Sequence, residues 1–167
     1  MAPMVIVVMG VSGCGKSTVA EALARRLGWH FAEADEFHPP ANVAKMKSGV
    51  PLTDEDRAPW LAAIAAHIDE ARASETPTVV TCSALKRRYR DVIVGNRPDV
   101  TLVHLKGDYE TIARRMAARA HHYMPVSLLQ SQFDALEEPA DDERAISVSI
   151  DQPPERIVER IVESTGA

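Results

Sequence analysis

The sequence holds only two cysteines, Cys14 and Cys82, so it has no disulfide framework to lean on. Neither they nor His121 and His122 show metal-ligand spacing, and no zinc site is expected. Positive charge is also in deficit: 19 Lys+Arg against 24 Asp+Glu leave a formal charge of -5. No global field can gather nucleic acid or an anionic membrane, and any anion must be captured locally. No apolar run approaches the roughly 18 residues that suggest a membrane helix. Met1 to Met9 lacks the basic n-region of a secretory leader, and with so few cysteines the expected setting is the reduced cytoplasm. No repeat or low-complexity tract is present. What is there is ordinary globular material, 167 residues with 46% apolar and 26% charged. That suits one domain over residues 1–167 with enough core to fold unaided.

Met4 to Met9 is a continuous β-rich apolar run, the pattern of a strand buried on both faces of a parallel sheet. It ends at Gly10. From Lys16 the period becomes helical through Val19, Ala20, Leu23 and Leu27, and Gly28 is a natural stop. Phe31 to Ala34 reads as a second strand, Thr78 to Cys82 as a third, Thr101 to Lys106 as a fourth and Ala145 to Ile150 as a fifth. Helical spacing covers Leu61 to Ile68, Lys86 to Val94, Tyr109 to Met116, Ser127 to Leu136 and a last helix after Pro153. The Leu61 helix opens either at Pro59 or at the Thr53 to Asp56 capping box. Residues 35–58 form a long, largely irregular connection with a short helix at Asn42 to Lys47, and such connections usually have a job. Strands alternating with helices imply a parallel α/β sheet covered on both faces.

Gly10-Val-Ser-Gly-Cys-Gly-Lys16-Ser17 matches G-x-x-x-x-G-K-[ST] between a buried strand and a helix start, the context that a phosphate loop requires. Backbone N–H groups over Gly10, Ser12, Gly13, Cys14, Gly15 and Thr18 would surround phosphate oxygens. Lys16 would neutralise the β and γ phosphates, and the Ser17 hydroxyl could ligate Mg²⁺. Such a loop indicates a nucleoside triphosphate without saying what is done with it. A GTPase switch would need D-x-x-G, which is absent, and N-K-x-D, which Leu105-Lys-Gly-Asp108 matches poorly. A regulatory nucleotide-binding module is therefore disfavoured.

The second ligand of an open α/β sheet lies beyond the carboxyl ends of its strands. Glu33 and Asp35 end the second strand and, because successive strand residues alternate faces, point the same way, across from the phosphate loop if the two strands are near each other. They are either a solvated acidic loop or, with Asp35 as base and Glu33 holding Mg²⁺ through water, the acceptor's partners. Four of five positions in Lys86-Arg-Arg-Tyr-Arg90 are cationic. On a helix Lys86 and Arg90 share a face and could clamp a carboxylate, or they belong to an exposed basic face. His38, Lys45 and Arg57 add donors, so the acceptor looks small, hydroxylated and anionic. Arg115 and Arg119 lie one turn apart before the break at Ala120 to Pro125. They either relieve a helix dipole or ride on a lid, about residues 120–126, over the triphosphate.

Together with the phosphate loop, several motifs occur in order. They are Asp35-Glu-Phe-His-Pro39, Asn42-Val-Ala-Lys-Met46, Gly49-Val-Pro-Leu52, Asp54-Glu-Asp-Arg57, Pro59-Trp-Leu61, Cys82-Ser-Ala-Leu-Lys86, Tyr89-Arg-Asp91, Leu105-Lys-Gly-Asp108 and Ser131-Gln-Phe133. From about Val5 to Pro153 the chain resembles the small P-loop gluconokinases. The resemblance implies ATP-dependent phosphorylation of D-gluconate on its terminal hydroxyl, Mg²⁺, a cytoplasmic sugar-acid pathway and a homodimer. It also implies the three-layer fold of adenylate and shikimate kinases, with a five-stranded parallel sheet and a lid, and it puts Pro153 near the adenine. Departures from the family pattern fall at Ala34, Val94 and Tyr123. Shikimate kinase, the nearest rival, would carry a glycine triplet after the third strand, where this chain has Cys82-Ser-Ala84. Nucleoside monophosphate kinases are a more distant alternative.

Overall fold

A computed structural model describes residues 3–118 and 126–167. Its centre is β1 (Val5–Met9), every residue of which is buried. An all-apolar strand is stable only with both faces covered, and both are. β3 (Thr78–Thr81) and β4 (Val100–Lys106) pair with β1 on either side, β2 (His30–Glu33) lies outside β3, and β5 (Ile146–Ser149) lies outside β4. All neighbours are parallel, in the order β2-β3-β1-β4-β5.

Because strand side chains alternate, β1 feeds two cores. Ile6 and Val8 pack with Val19 and Leu23 of α1 (Lys16–Leu27), Ile112 of α5 (Tyr109–Ala118), Leu129 of α6 (Val126–Ala135) and Ile157 of α7 (Pro154–Thr165). Val5, Val7 and Met9 pack with Trp60, Ile64 and Ile68 of α3 (Asp54–Ala73) and Tyr89 and Ile93 of α4 (Arg87–Ile93). Each large apolar side chain so buried contributes roughly 1.5–3 kcal/mol. The result is the expected three-layer arrangement.

Several boundaries differ from the sequence reading, and one difference changes the chemistry. β2 stops at Glu33, and residues Ala34–Phe37 form a 3₁₀ turn. The period-2 argument that aimed Glu33 and Asp35 the same way therefore fails, because only Glu33 is in the strand. In residues 35–58, α2 runs Pro40–Lys47, two residues longer at its start than expected. α3 begins at the capping box, with the Asp56 N–H donating to Thr53 Oγ1 at 3.1 Å and the Thr53 N–H to Asp56 Oδ2 at 2.9 Å. Pro59 thus lies inside the helix rather than opening it. The cap satisfies two otherwise orphaned donors and outweighs the one backbone bond that proline removes in the second turn. The expectations for Arg119 and the 120–125 break lie outside the described residues.

Candidate active site

The phosphate loop spans the turn from β1 into α1. Gly15 holds the N-cap position at φ +92° and Gly13 stands at φ +81°. A Cβ on Gly13 would come within 2.7 Å of Met116 Cγ on α5, so a side chain is excluded there twice over. The first turn of α1 carries no acidic residue, leaving its N–H groups and dipole free for an anion. Ser17 and Thr18 are exposed on that turn. Lys16 folds back so that its ammonium donates to the Val11 carbonyl at 3.2 Å. Across the loop, Gln132 of α6 grips Ser12: the Ser12 N–H donates to Gln132 Oε1 at 2.6 Å, and Gln132 Nε2 donates to Ser12 Oγ at 2.7 Å.

Beside the loop lies a cleft of about 560 Å³, walled by Cys14, Gly15, Thr18 and Val19 on one side and by Arg115, Asp151, Gln152 and Pro153 on the other. Arg115 is aimed there by its Nη2, which donates to the Ile150 carbonyl at 2.8 Å. Pro153 and Arg115, placed near a nucleotide separately in the sequence, therefore line one cleft. The Cys14 thiol is buried and its pKa is raised by that burial, with Lys16 opposing.

The candidate acceptor side is built around Trp60. Its indole N–H donates to the Ala34 carbonyl at 2.6 Å, pinning the 3₁₀ turn that carries Asp35. The His38 ring stacks on the indole with centroids 4.3 Å apart. Burial depresses the His38 pKa, Asp35 opposes that shift, and Arg57 adds to it, so Asp35, His38 and Arg57 share one neighbourhood. Burial pushes the Cys82 thiol up to about 12, with Asp35 raising it further and Lys16 lowering it. One buried group at the end of β3 therefore feels both the phosphate-loop lysine and the candidate base. Glu33, the last residue of β2, pairs in register with Thr81 of β3.

Tyr89 gathers the cations. The Arg57, Lys86 and Arg88 charges lie 5.7, 5.8 and 5.9 Å from its ring centroid. Its hydroxyl donates to Asp54 Oδ1. Asp54 also meets Lys86 at 3.6 Å and Arg88 at 2.5 Å, and its pKa is lowered by the Tyr89 hydrogen bond first and by these cations next. Arg57 is steadied by donating to the Leu52 carbonyl at 2.9 Å and to the Tyr89 hydroxyl at 3.3 Å.

The Lys86 and Arg90 clamp does not form. Lys86 is the N-cap residue of α4, outside the helix, so the one-turn face argument does not apply to it. Arg90 turns the other way and is 2% exposed. Its Nε and Nη2 donate to Glu143 at 2.6 and 3.1 Å, and its Nη1 to the Ala84 carbonyl at 2.9 Å. Arg90 is thus corrected from a substrate contact to a brace. Ala84, at φ +45°, is a non-glycine residue in the left-handed region, and Arg90 holds its carbonyl in the turn that delivers Lys86. Lys45 is also engaged, 2.9 Å from both oxygens of the Asp56 that caps α3. Sequence reasoning missed Arg88, Tyr89, Asp54 and Gln132 as site-lining groups. Three of the four stand in the quoted motifs, but only the fold shows what they touch.

A phosphate loop after the central strand of a parallel 2-3-1-4-5 sheet, with a nucleotide-sized cleft on one side and a cation-rich pocket on the other, defines a P-loop kinase fold. A family model described as an AAA domain matches residues 5–141. A gluconokinase of Gluconobacter oxydans is 49% identical over 96% of this chain and 90% of its own length. The thermoresistant gluconokinase of Escherichia coli is 41% identical over 95% and 91%. Among solved structures, a gluconokinase from Sinorhizobium meliloti superposes with a TM-score of 0.86 at 47% identity, covering 98% of this chain and 92% of that one. A shikimate kinase from Bacteroides thetaiotaomicron, 18% identical with 98% of each chain covered, shares the fold at a TM-score of 0.69. The chain belongs to the gluconokinase family.

Proposed function

We propose that this protein transfers the γ-phosphoryl group of ATP to the terminal hydroxyl of D-gluconate, giving 6-phosphogluconate, within one catalytic domain. The observation that carries the reading is the loop's own geometry: Gly13 and Gly15 at positive φ, an acid-free first turn of α1 and Lys16 folded back over the loop, beside the cleft lined by Arg115 and Pro153. Lys16 and the loop N–H groups hold the triphosphate, with Arg115 on the facing wall of the cleft. Asp35 accepts the proton of the attacking hydroxyl. Arg57, Lys86 and Arg88 provide the local positive charge that an anionic acceptor needs in a chain of net charge -5. With a loose, charge-spread transition state the protein contributes mainly positioning and electrostatics.

The donor set fits Mg²⁺. Among the described residues no group of three or more His, Cys, Asp or Glu could hold a metal alone. An ion that keeps its waters and arrives with phosphates needs only one or two protein oxygens. Ser17 would ligate it, with Glu33 reaching it through water. Once bound, it neutralises charge on the β and γ phosphates. A cytoplasmic homodimer completes the proposal. It is tested by ADP release over gluconate, shikimate, glucose and several nucleoside monophosphates, each against an acceptor-free control. Gluconate alone should stimulate release, and equal rates with and without any acceptor would sink the kinase in favour of a switch.

A further inference from the structure

The phosphate loop has two limbs. Cys14, Gly15 and Thr18 line the cleft with Pro153, which makes that limb the nucleoside side. Val11 and Ser12 form the other limb, and it is there that the Lys16 ammonium rests, on the Val11 carbonyl. Since that ammonium serves the β and γ phosphates, Ser12 lies at the end from which the terminal group departs. At this end sits Gln132, reaching across 120 residues of sequence with both halves of its amide engaged.

Such a pairing does more than brace a helix. A backbone N–H in a phosphate loop is the type of donor that cradles phosphate oxygens. Gln132 Oε1 satisfies it at 2.6 Å, as a phosphate oxygen would, while Nε2 fixes the Ser12 hydroxyl at 2.7 Å. A neutral amide is suited to this. It accepts and donates at once and places no charge beside a tetraanion, whereas a carboxylate would repel the nucleotide and a lysine would compete for it.

We propose that Gln132 is a positioning residue for phosphoryl transfer, holding Ser12 and the outer limb of the phosphate loop in register with the departing γ-phosphoryl group. The proposal rests on the kinase reading above. Gln132 acts through Ser12, so its removal should lower kcat far more than it alters the KM for gluconate.

The test assays wild type, Q132L, Q132E, S12A and the S12A/Q132L double variant by ADP release, with and without gluconate. Q132L should lose about tenfold or more in kcat with less than about a threefold change in KM. The double variant should be no worse than Q132L alone, since S12A breaks one of the two contacts that Q132L already removes. Q132E should also lose about tenfold or more in kcat, because it sets a carboxylate beside the departing phosphoryl group. The proposal is overturned if Q132L or Q132E keeps kcat within about threefold of wild type, or if the losses in S12A and Q132L multiply. If Q132L does not fold, Q132E, which keeps an acceptor for the Ser12 N–H, carries the test alone. If gluconate does not stimulate wild type, the gluconate reading fails separately, and Gln132 is judged on the acceptor-free rate.

Discussion

The Arg90 guanidinium is buried against both carboxylate oxygens of Glu143, 53 residues away in the chain, at 2.6 and 3.1 Å. With side-chain exposures of 2% and 8%, neither charge has water to fall back on. Removing one partner strands the other, so E143A should cost about 3–5 kcal/mol in urea unfolding. R90K should rescue little of R90A, since an ammonium cannot span two carboxylate oxygens and the Ala84 carbonyl together. An E143A variant as stable as wild type would show that the pair is solvated.

Acid should destabilise the fold in two steps. The folded pKa of His38 lies below its ordinary 6.5, chiefly through burial, so the unfolded chain binds that proton first. Its contribution is complete above about pH 6.5 and fades as pH falls from there. Glu143 is also depressed: burial raises its pKa, but the Arg90 hydrogen bonds and charge and the Ala140 N–H outweigh this. Its contribution is complete above about pH 4.5 and is lost below. Unfolding free energy measured against pH should decline on this course, and H38A should diminish the upper step, leaving the part due to His104, whose pKa burial also lowers. A profile unchanged by H38A would refute the first assignment.

Lys16→Ala should abolish turnover, because it removes the ammonium that neutralises the β and γ phosphates. Asp35→Asn should lower kcat by about 10²-fold or more with little change in the KM for ATP, as expected for a lost general base. Steady-state kinetics separates the two, and an unchanged kcat in D35N would remove it from the chemistry.

The cations around Tyr89 predict a specificity. R57A and K86A should each raise the KM for gluconate about tenfold or more with smaller effects on kcat. D-glucose, which lacks the carboxylate, should be a poor acceptor. R90A, assayed where it remains folded, should affect KM only through the turn at Ala84. Equal KM values for gluconate and glucose would contradict the cationic pocket.

The parts legible in the sequence are those set by near neighbours. The β1 run, the phosphate loop and the α1 face are local patterns, and all three fall within a residue or so of where periodicity puts them. Asp35 is selected as a base by a strand period that ends two residues too soon, yet its turn is still fixed because Trp60 fastens it to α3. The pairing of Lys86 with Arg90 failed for a similar reason. Helical spacing predicts a shared face only when both residues are inside the helix, and the capping position lies outside it.

Residue order by itself determined that a phosphate loop would follow a strand buried on both faces, because turn geometry, burial and helix initiation all act within a few positions. Which arginine stays available for an anion and which is consumed as a brace was decided only when Glu143, Asp54 and Tyr89 arrived from distant segments. Electrostatic energy depends on separation in space and on exclusion of water, and neither is encoded in the spacing of letters along a chain.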